Sequence, residues 1–411
     1  MIATPRVETT AAQTKFTRLP TPLPLSHAIV NPMILLTLAS LYVAYAGTSV
    51  FFIGRLRHAY KTLCMHQLVT DARYLDELPS VSVCISARNE TNAMTECLES
   101  VIASRYPKLE IIVLDDASRD NTSFLIKSFA HAGVRFVQGA PLPDGWLGKN
   151  YAYETLSREA SGSYVLYMDV DTKIAPDTIG QLVAYVHQNS LRMVSVMPMR
   201  MDGRRSSVVF SSLRYFWEVI FHTPEHPAAA SAAWMIHRNT LQNELGGFSP
   251  VSEIVRPEAR LAEALIPTDA YRFVMSTPLL GVRFEKKWRS QCETAKRLLL
   301  PKFQTLPGGA ALGAGVLSLL SVSLFVPLLA SIYGWSLIFT LFTLQTLIFM
   351  ALYASYTYRV WRRGWVLGFF VWPIVIVQEL VLFAASVFGY ARGTITWKGR
   401  PVRRQSPTTP K

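Results

Sequence analysis

The strongest constraint on the fold is a long stretch in the C-terminal half that carries no charge. Residues 303–358 contain no Asp, Glu, Lys or Arg. A water-soluble domain rarely tolerates such a stretch, because its surface helices need a polar face. Runs of about 20 apolar residues are also long enough to cross the hydrocarbon core of a bilayer. The sequence therefore predicts a membrane protein whose more polar middle section forms a soluble domain.

The apolar segments predict the domain organisation. Residues 32–54 are uncharged and too long for a signal-peptide core, so they predict an N-terminal transmembrane anchor. Residues 308–390 predict a C-terminal membrane domain of about three hydrophobic segments. The Thr- and Pro-rich residues 1–31 predict a disordered tail, and residues 391–411 form a basic tail. Residues 80–300 are left as the soluble domain.

Positive charge predicts the orientation and the partners. Arg55, Arg57 and Lys61 directly follow the first apolar segment. Because basic loops prefer the cytoplasmic side, the soluble domain is expected in the cytoplasm, with the protein integral to a bacterial cell membrane. The four cysteines lack Cys-x-x-Cys spacing, as expected for reduced thiols. The net charge of +13 is better explained by anionic lipid headgroups than by nucleic acid, for which no motif is present.

The basic C-terminal tail conflicts with a simple count of membrane crossings. If all three C-terminal segments cross, the tail lies outside the cell, although its charge favours the inside. Residues 364–390 contain Pro373, Gln378 and Glu379, so this segment is suspected to be re-entrant or interfacial. A tail on the inside would let residues 397–400 close over an active site. The aromatic-rich segment 211–221 predicts either a core helix or an interfacial helix, and the nearby Arg204, Arg205 and Arg214 favour the interfacial helix.

The soluble domain shows short strands alternating with helices. Residues 81–86, 110–114 and 134–137 predict strands, and apolar residues at helical spacing lie between them. This alternation predicts an α/β domain with a mostly parallel sheet. A further strand, residues 164–168, leads into an Asp-x-Asp sequence. Ligands of such sheets bind beyond the carboxyl ends of the strands.

Two carboxylates, Asp169 and Asp171, follow the fourth predicted strand. Residues two apart in an extended segment point to the same side, so both can face one cation. Carboxylate oxygens suit Mg²⁺ or Mn²⁺. The alternative is a turn at the end of the strand, where Asp is common. A ligand site is favoured because Asn89-Glu90 and Asp115-Asp116 also follow predicted strands.

Four motifs in order, VSVCISARNE, VLDDASRDNT, PLPDGWLGKN and YMDVDT, resemble family 2 glycosyltransferases of the GT-A (Rossmann-like) type. The PLPxGWxGK element and the C-terminal TWKGR are similar to membrane-bound lipid glycosyltransferases of the ceramide glucosyltransferase-like, hopanoid-associated and carotenoid groups. The resemblance implies inverting, metal-dependent transfer of one sugar from a nucleotide sugar, expected to be a UDP-sugar, to a lipid hydroxyl. Alternatives are polysaccharide or polyprenyl-phosphate glycosylation, or a degenerate nucleotide-sugar binder without catalysis, since the usual Pro before Asn89-Glu90 is missing.

The resemblance also implies roles for individual residues. Donor binding falls to Asn89, Glu90, Asp116, Lys149 and Asp169. Within this set, Asn89 and Glu90 face the nucleoside, Asp116 accepts from the uracil N–H, and Lys149 neutralises phosphate or supports the acceptor pocket. Asp169 and Asp171 would bind the Mn²⁺ or Mg²⁺ ion that holds the diphosphate.

The segment LGGFSPVSEIVRPEARLA resembles the family's GGF element followed by Glu-Asp-x-x-Leu-Ala. Glu258 takes the place of the Asp that serves as general base, so the resemblance implies that Glu258 deprotonates the acceptor. The alternative is that Glu258 only decorates a helix that begins at Pro257. The Gln-x-x-Arg-Trp element of processive polysaccharide synthases is absent after Glu258, which favours transfer of a single sugar.

Overall fold

The structure is a computed structural model that describes residues 32–63, 78–201, 207, 213–223, 225–304 and 308–402. The predicted disordered tail and the last nine residues of the basic tail lie outside the described residues. The chain divides into two compact units, residues 1–41 and 42–411. The described part of the first unit is the beginning of one helix, α1 (Pro32–Thr62).

The second unit contains the predicted α/β sheet. Its strands are β1 (Val81–Ala87), β2 (Leu109–Asp115), β3 (Val134–Gln138), β4 (Tyr164–Met168), β5 (Thr172–Lys173), β6 (Met193–Met197), β7 (Met199–Arg200), β8 (Ala233–His237), β9 (Tyr271–Met275) and β10 (Arg283–Phe284). Seven of them form the main sheet in the order β3-β2-β1-β4-β8-β6-β9, and β5, β10 and β7 form a small second sheet. In the main sheet β8 runs antiparallel to both its neighbours, and the other pairings are parallel. The prediction of a mostly parallel sheet is confirmed.

Helices connect the strands and cover the sheet. They are α2 (Thr91–Ile102), α3 (Thr122–Ser128), α4 (Gly148–Glu159), α5 (Thr178–Gln188), α6 (Arg214–Phe221), α7 (Pro257–Leu265) and α8 (Trp288–Gln304). Helix α2 shows why they form: Met94, Cys97, Leu98 and Val101 recur at helical spacing and are buried. These side chains pack with β-branched residues of the central strands in one core. Strands β1, β2 and β4 are thereby held rigidly, and their ends carry the candidate site.

Three long apolar helices follow α8. They are α9 (Gly309–Ile332), α10 (Ser336–Val360) and α11 (Trp365–Ala391). Together with α1 they are four helices that are long and apolar enough to cross a membrane by length and composition. Large apolar side chains such as Leu328 and Phe370 remain exposed on them, which is consistent with membrane association. A short hairpin, β11 (Thr396–Trp397) and β12 (Arg400–Pro401), follows α11.

Helix α6 packs against the long apolar helices through contacts between aromatic rings. Its Phe216 contacts Phe52 of α1, Tyr353 of α10 and Trp372 of α11 at ring-centroid distances of 5.9 Å each. Six of its eight residues are buried. Of the two interpretations of this aromatic segment, the core helix therefore describes the structure better, because its aromatic rings face other helices.

Candidate active site

Three neighbouring parallel strands end at the same edge of the main sheet. Ala87, the last residue of β1, is paired with Asp115, the last residue of β2. Met168, the last residue of β4, is paired with Ile85 on the other side of β1. The residues that follow these strands are therefore brought together. The predicted donor residues Asn89, Glu90, Asp116 and Asp169 are the ones that follow them.

The two aspartates after β2 have different environments. Asp115 accepts from the backbone N–H of Ser118 at 3.2 Å and from the Ser123 hydroxyl, so it stabilises the turn. Asp116 instead accepts a charge-assisted hydrogen bond from Arg400 Nη1 at 2.7 Å. Burial raises the pKa of the Asp116 carboxyl above its ordinary value, while Arg400 and Arg88 oppose this rise. The buried Asp116 carboxyl is thus kept beside a cation.

The β11–β12 hairpin covers the ends of β1 and β2. Lys398 Nζ lies 2.8 Å from Glu90 Oε1, and the Lys398 carbonyl accepts from Arg88 Nε at 3.2 Å. The Arg297 guanidinium of α8 lies 5.1 Å from the Trp397 ring centroid. The expectation that residues 397–400 would close over the site agrees with these contacts.

Asn89 has a backbone role in the turn after β1. Its φ is +53°, in the left-handed region that Asn adopts more readily than most residues. Its side-chain oxygen accepts from the Arg119 N–H at 2.8 Å, and its own N–H donates to Ser118 Oγ at 2.9 Å. These bonds join the turns after β1 and β2, so Asn89 shapes this edge of the sheet.

The Asp-x-Asp carboxylates are each in contact with a lysine. Lys149 Nζ, at the start of α4, lies 2.5 Å from Asp169 Oδ1, and Lys286 Nζ lies 3.1 Å from Asp171 Oδ2. Ser231 Oγ donates to the other Asp169 oxygen at 3.1 Å. Burial by itself would raise the pKa of Asp169, but the ammonium groups of Lys149 and Lys286 outweigh it and lower this pKa below its ordinary value. Asp169 is therefore ionised at neutral pH.

Asp169 and Asp171 would hold a divalent cation only if phosphate oxygens of the donor supply further ligands. Among the described residues there is no group of three or more His, Cys, Asp or Glu side chains placed to hold a metal ion. Asp169 and Asp171 supply two hard carboxylates, each about a fifth exposed. Mg²⁺ commonly takes one or two carboxylates and completes its shell with substrate phosphates and water. The site matches that mode of binding.

Glu258 lies at the first turn of α7, directly after Pro257. Its side chain is buried, and it lines a pocket together with Lys149, Arg297 and Arg400. Arg256, the residue before Pro257, forms a buried ion pair of 2.6 Å with Glu218 of α6, which holds the start of α7. The position in the first turn of α7 agrees with the alternative that Glu258 only decorates this helix. A general base, however, needs to face a pocket, and Glu258 does so.

The pocket that contains Glu258 is strongly basic. Its cationic lining residues are Lys149, Arg214, Arg297 and Arg400. Burial would lower the pKa of Arg214, but interactions with Tyr215, Glu258 and Asp169 raise it. For Arg297, burial and the nearby Arg214 lower the pKa to about 10, so this residue is still a cation at neutral pH. Such a pocket favours a ligand with several negative charges, such as a diphosphate.

Sequence reasoning missed several of these residues. Arg214, Ser231 and Lys286 carry no motif, and their roles depend on contacts between distant segments. Arg400 had a signal, because it belongs to the TWKGR element. The motif predicts that Lys149 neutralises phosphate or supports the acceptor pocket. The structure adds that Lys149 contacts Asp169.

Comparison with known proteins agrees with this geometry. Residues 82–238 match Glycosyl transferase family 2. This segment, a little over a third of the chain, is similar to that family. The matched segment begins in β1 and ends just after β8, and so includes Asp116, Lys149 and Asp169 but not Glu258.

Individual relatives match the same part of the chain. An N-acetylglucosaminyltransferase of Rhizobium leguminosarum bv. phaseoli is 31% identical over 138 residues, which are 31% of this chain and 32% of the relative. A poly-beta-1,6-N-acetyl-D-glucosamine synthase of Staphylococcus aureus (strain MSSA476) is 34% identical over 104 residues, 25% of this chain and 24% of the relative. The chain thus matches no more than about a third of the length of these two relatives.

One solved structure is similar over most of the chain. The mannosyltransferase PcManGT from Pyrobaculum calidifontis, in complex with GDP-Man and Mn²⁺, superposes with a TM-score of 0.53 at 18% identity, covering 86% of this chain and 97% of that one. At this identity the likeness shows the fold alone, which is the GT-A-like α/β fold expected from the motifs.

Proposed function

We propose that this glycosyltransferase moves a single sugar from a nucleotide sugar to the hydroxyl of a membrane lipid, with inversion at the sugar carbon. The observation that supports it best is the composition of the pocket wall around Glu258. One side comes from the sheet edge, through Lys149 of α4. The other side comes from α8 and from the hairpin after α11, through Arg297 and Trp397. An acceptor that approaches from the membrane would meet the donor between these two sides.

The residues of the pocket divide the chemistry between donor and acceptor. We favour a UDP-sugar as the donor. Asp116 accepts a hydrogen bond from the N–H of its uracil base. Lys149, Arg214 and Arg297 neutralise the diphosphate. Glu258 takes the proton of the acceptor hydroxyl, whose oxygen bonds to the sugar carbon while the bond to the diphosphate breaks. A Mn²⁺ or Mg²⁺ ion held by Asp169 and Asp171, when bound, supplies charge stabilisation to the leaving diphosphate.

The fold also supports a specific membrane topology with the soluble domain in the cytoplasm. Helices α9 and α10 are consecutive, and the C-terminal end of α10 lies against the soluble domain beside Arg200 and Phe284. Helix α11 therefore starts on the domain side. It also ends there, because Tyr390 donates to the Arg297 carbonyl at 2.7 Å and the following hairpin reaches Asp116. We infer that α11 is re-entrant or interfacial and that the basic tail is cytoplasmic, as its charge favours.

A polysaccharide product is the second candidate. It is supported by the relatives, two of which are named as an N-acetylglucosaminyltransferase and a poly-N-acetylglucosamine synthase. The missing Gln-x-x-Arg-Trp element favours the single transfer. Membranes incubated with radiolabelled UDP-sugars distinguish the two, since a lipid extract with one labelled sugar supports the first candidate and a label in an insoluble polymer supports the second.

The catalytic role of Glu258 is tested by substitution. Glu258→Gln keeps the shape of the side chain but cannot take the proton, so transfer should fall about 10²–10⁴-fold while UDP binding is kept. Glu258→Asp restores the carboxylate of the family pattern and should retain transfer. Glu253→Gln, at an exposed position five residues earlier, is the matched control and should be fully active. Transfer at the wild-type rate by Glu258→Gln would place the base elsewhere.

A further inference from the structure

One face of helix α4 holds the chain segment that leads to Glu258. We call residues 247–254 the connecting segment, because it lies between the end of β8 and the start of α7. Three residues contact its backbone: Leu147, directly before α4, and Asn150 and Glu154 within it. Positions three and four apart lie on the same face of a helix. The three contacts therefore form one row along α4.

Asn150 is the centre of this row. Its side chain is buried, and its amide nitrogen donates to three backbone carbonyls of the connecting segment. These carbonyls belong to Val251 at 2.8 Å, Ser252 at 2.9 Å and Ile254 at 2.8 Å. The Leu147 N–H also donates to the Ser252 carbonyl, at 2.9 Å. Because a buried carbonyl without a donor is costly, one side chain determines the path of this end of the connecting segment.

Glu154 fixes the other end of the connecting segment. Its carboxylate is buried, and Oε2 accepts from the Phe248 N–H at 2.8 Å. Gly247 has a φ of +69°, and a Cβ atom at this position would lie 2.7 Å from Glu154 Oε2. Glycine is therefore needed for the backbone to come this close. The other oxygen of Glu154 lies 2.7 Å from Arg158.

The Phe248 ring joins the connecting segment to the donor side of the site. Its centroid lies 5.5 Å from that of Tyr153 in α4 and 5.5 Å from that of Tyr167 in β4. Strand β4 ends directly before Asp169, and α4 carries in its first turn Lys149, which contacts Asp169. The groups that would hold the donor and the segment that leads to the base thus share one support.

We propose that Asn150 and Glu154 are positioning residues for sugar transfer, which set the place of Glu258 relative to the donor. This inference rests on the proposed function, because it concerns the same base. Both residues act through the backbone of the connecting segment. The ion pair between Arg256 and Glu218 holds the start of α7 independently. A loosened connecting segment should therefore displace Glu258 rather than unfold α7.

Asn150→Leu keeps the size of the side chain and removes the donor. Since a displacement of about 1 Å can lower a rate about 10²-fold, kcat for transfer from a radiolabelled UDP-sugar should fall by about this factor. The full-length variant is assayed in membranes, and its affinity for UDP, measured by calorimetry, should be unchanged. Asn189→Leu is the matched control, because exposed Asn189 donates only within its own helix among its described bonds. A wild-type kcat, or an equal loss of UDP affinity, overturns the inference.

A double substitution shows whether Asn150 acts through Glu258. The effects of residues that act as a unit are not additive. Asn150→Leu should therefore slow the wild-type enzyme but should not slow the Glu258→Gln variant any further. Rates are compared per folded protein, so that a merely structural loss, seen as a lower Tm, does not imitate the result. If the two losses multiply, the inference is wrong.

Glu154 keeps the inference testable if Asn150→Leu does not fold. Glu154→Gln retains an oxygen that accepts from the Phe248 N–H and should retain most of the transfer rate. Glu154→Met has a similar length but no such acceptor, so it should transfer more slowly. Arg158→Gln removes the ion pair of Glu154 without touching Phe248, and this control should be fully active. Equal rates in the Gln and Met variants overturn the inference.

Failure of this inference and failure of the proposed function give different results. If the wild type transfers sugar from no UDP-sugar, or if Glu258→Gln transfers at the wild-type rate, the proposed function or its base is wrong and the inference falls with it. If Glu258→Gln is slow and its loss multiplies with that of Asn150→Leu, the proposed function stands and only the inference is wrong.

Discussion

Replacing Arg400 by Gln tests whether the C-terminal hairpin supports recognition of the nucleotide base. Arg400 Nη1 lies 2.7 Å from Asp116 Oδ2, and the two side chains are only 19% and 8% exposed. A carboxylate has lone pairs on both oxygens, so Asp116 can keep Arg400 on one oxygen and accept from the base with the other. We therefore expect the hairpin to remain in place when UDP binds and the Arg400→Gln variant to bind UDP more weakly.

The size of the effect follows from the contact. A hydrogen bond to a charged group contributes about 1.5–3 kcal/mol. Because Arg400 stabilises the ionised carboxylate of Asp116, losing Arg400 should raise the pKa of Asp116 further. Burial already holds this pKa above its ordinary value. Since a raised pKa means that the carboxylate is protonated earlier as the pH falls, the variant should lose UDP affinity at a higher pH than the wild type.

Calorimetric titration with UDP between pH 5 and 8 measures both effects. The affinity of Arg400→Gln should be about tenfold lower than that of the wild type, since 1.4 kcal/mol is a factor of ten, and the difference should widen toward pH 5. Arg400→Lys should recover part of the loss. Arg392→Gln removes an exposed positive charge just before the hairpin and should have no effect. Tighter binding by Arg400→Gln would refute the reasoning, because the hairpin would then compete with the base.

Three further predictions concern the metal, the orientation and the stability. Excess chelator or Asp171→Asn should abolish sugar transfer, because Lys149 and Lys286 alone cannot replace a divalent ion on the leaving diphosphate. Mn²⁺ or Mg²⁺ should restore transfer after chelation, and transfer at the wild-type rate in excess chelator contradicts this prediction. A protease added to intact cells should not cleave residues 81–297, and cleavage without lysis would reverse the topology. The Glu218 carboxylate lies 2.6 Å from Arg256 and 2.7 Å from Lys302. Glu218→Gln leaves both cations buried without this carboxylate, so it should destabilise the fold by about 3–5 kcal/mol, measured as a lower Tm. An unchanged Tm would show that the cluster is solvated.

The sheet and its ligand edge could be predicted because their signals are local. Each strand is a short apolar run, and the polar residues that follow it lie at its carboxyl end. Asp116 and Asp169 were placed at one edge from this rule alone, and the register of β1 with β2 and β4 shows that edge. The same locality explains the long helices, because a run of apolar residues is visible without any knowledge of tertiary contacts.

The partners of the site residues could not be predicted, because they come from distant segments. Arg400 and Asp116 are 284 positions apart, and Lys286 is more than a hundred residues from Asp171. A surplus of 13 positive charges shows that cations are plentiful but not which of them faces a carboxylate. Only the resemblance of the TWKGR element to other proteins indicated that the tail takes part, and it did so without naming a contact.

Glu379 shows how a single polar residue can connect a long apolar helix with the candidate site. A charged residue in an apolar helix is costly in lipid and is expected to have partners within the protein. In the structure its carboxylate accepts from Trp217 Nε1 at 2.9 Å and from the Leu213 N–H at 3.2 Å. Those donors lie at the start of α6, where Arg214 lines the pocket of Glu258. Glu379 thus attaches the middle of α11 to the helix that carries Arg214. This attachment holds α11 close to the α/β domain, so the hairpin that follows α11 can reach Asp116. The polar residue that argues against α11 as a simple membrane span therefore also accounts for the position of the hairpin.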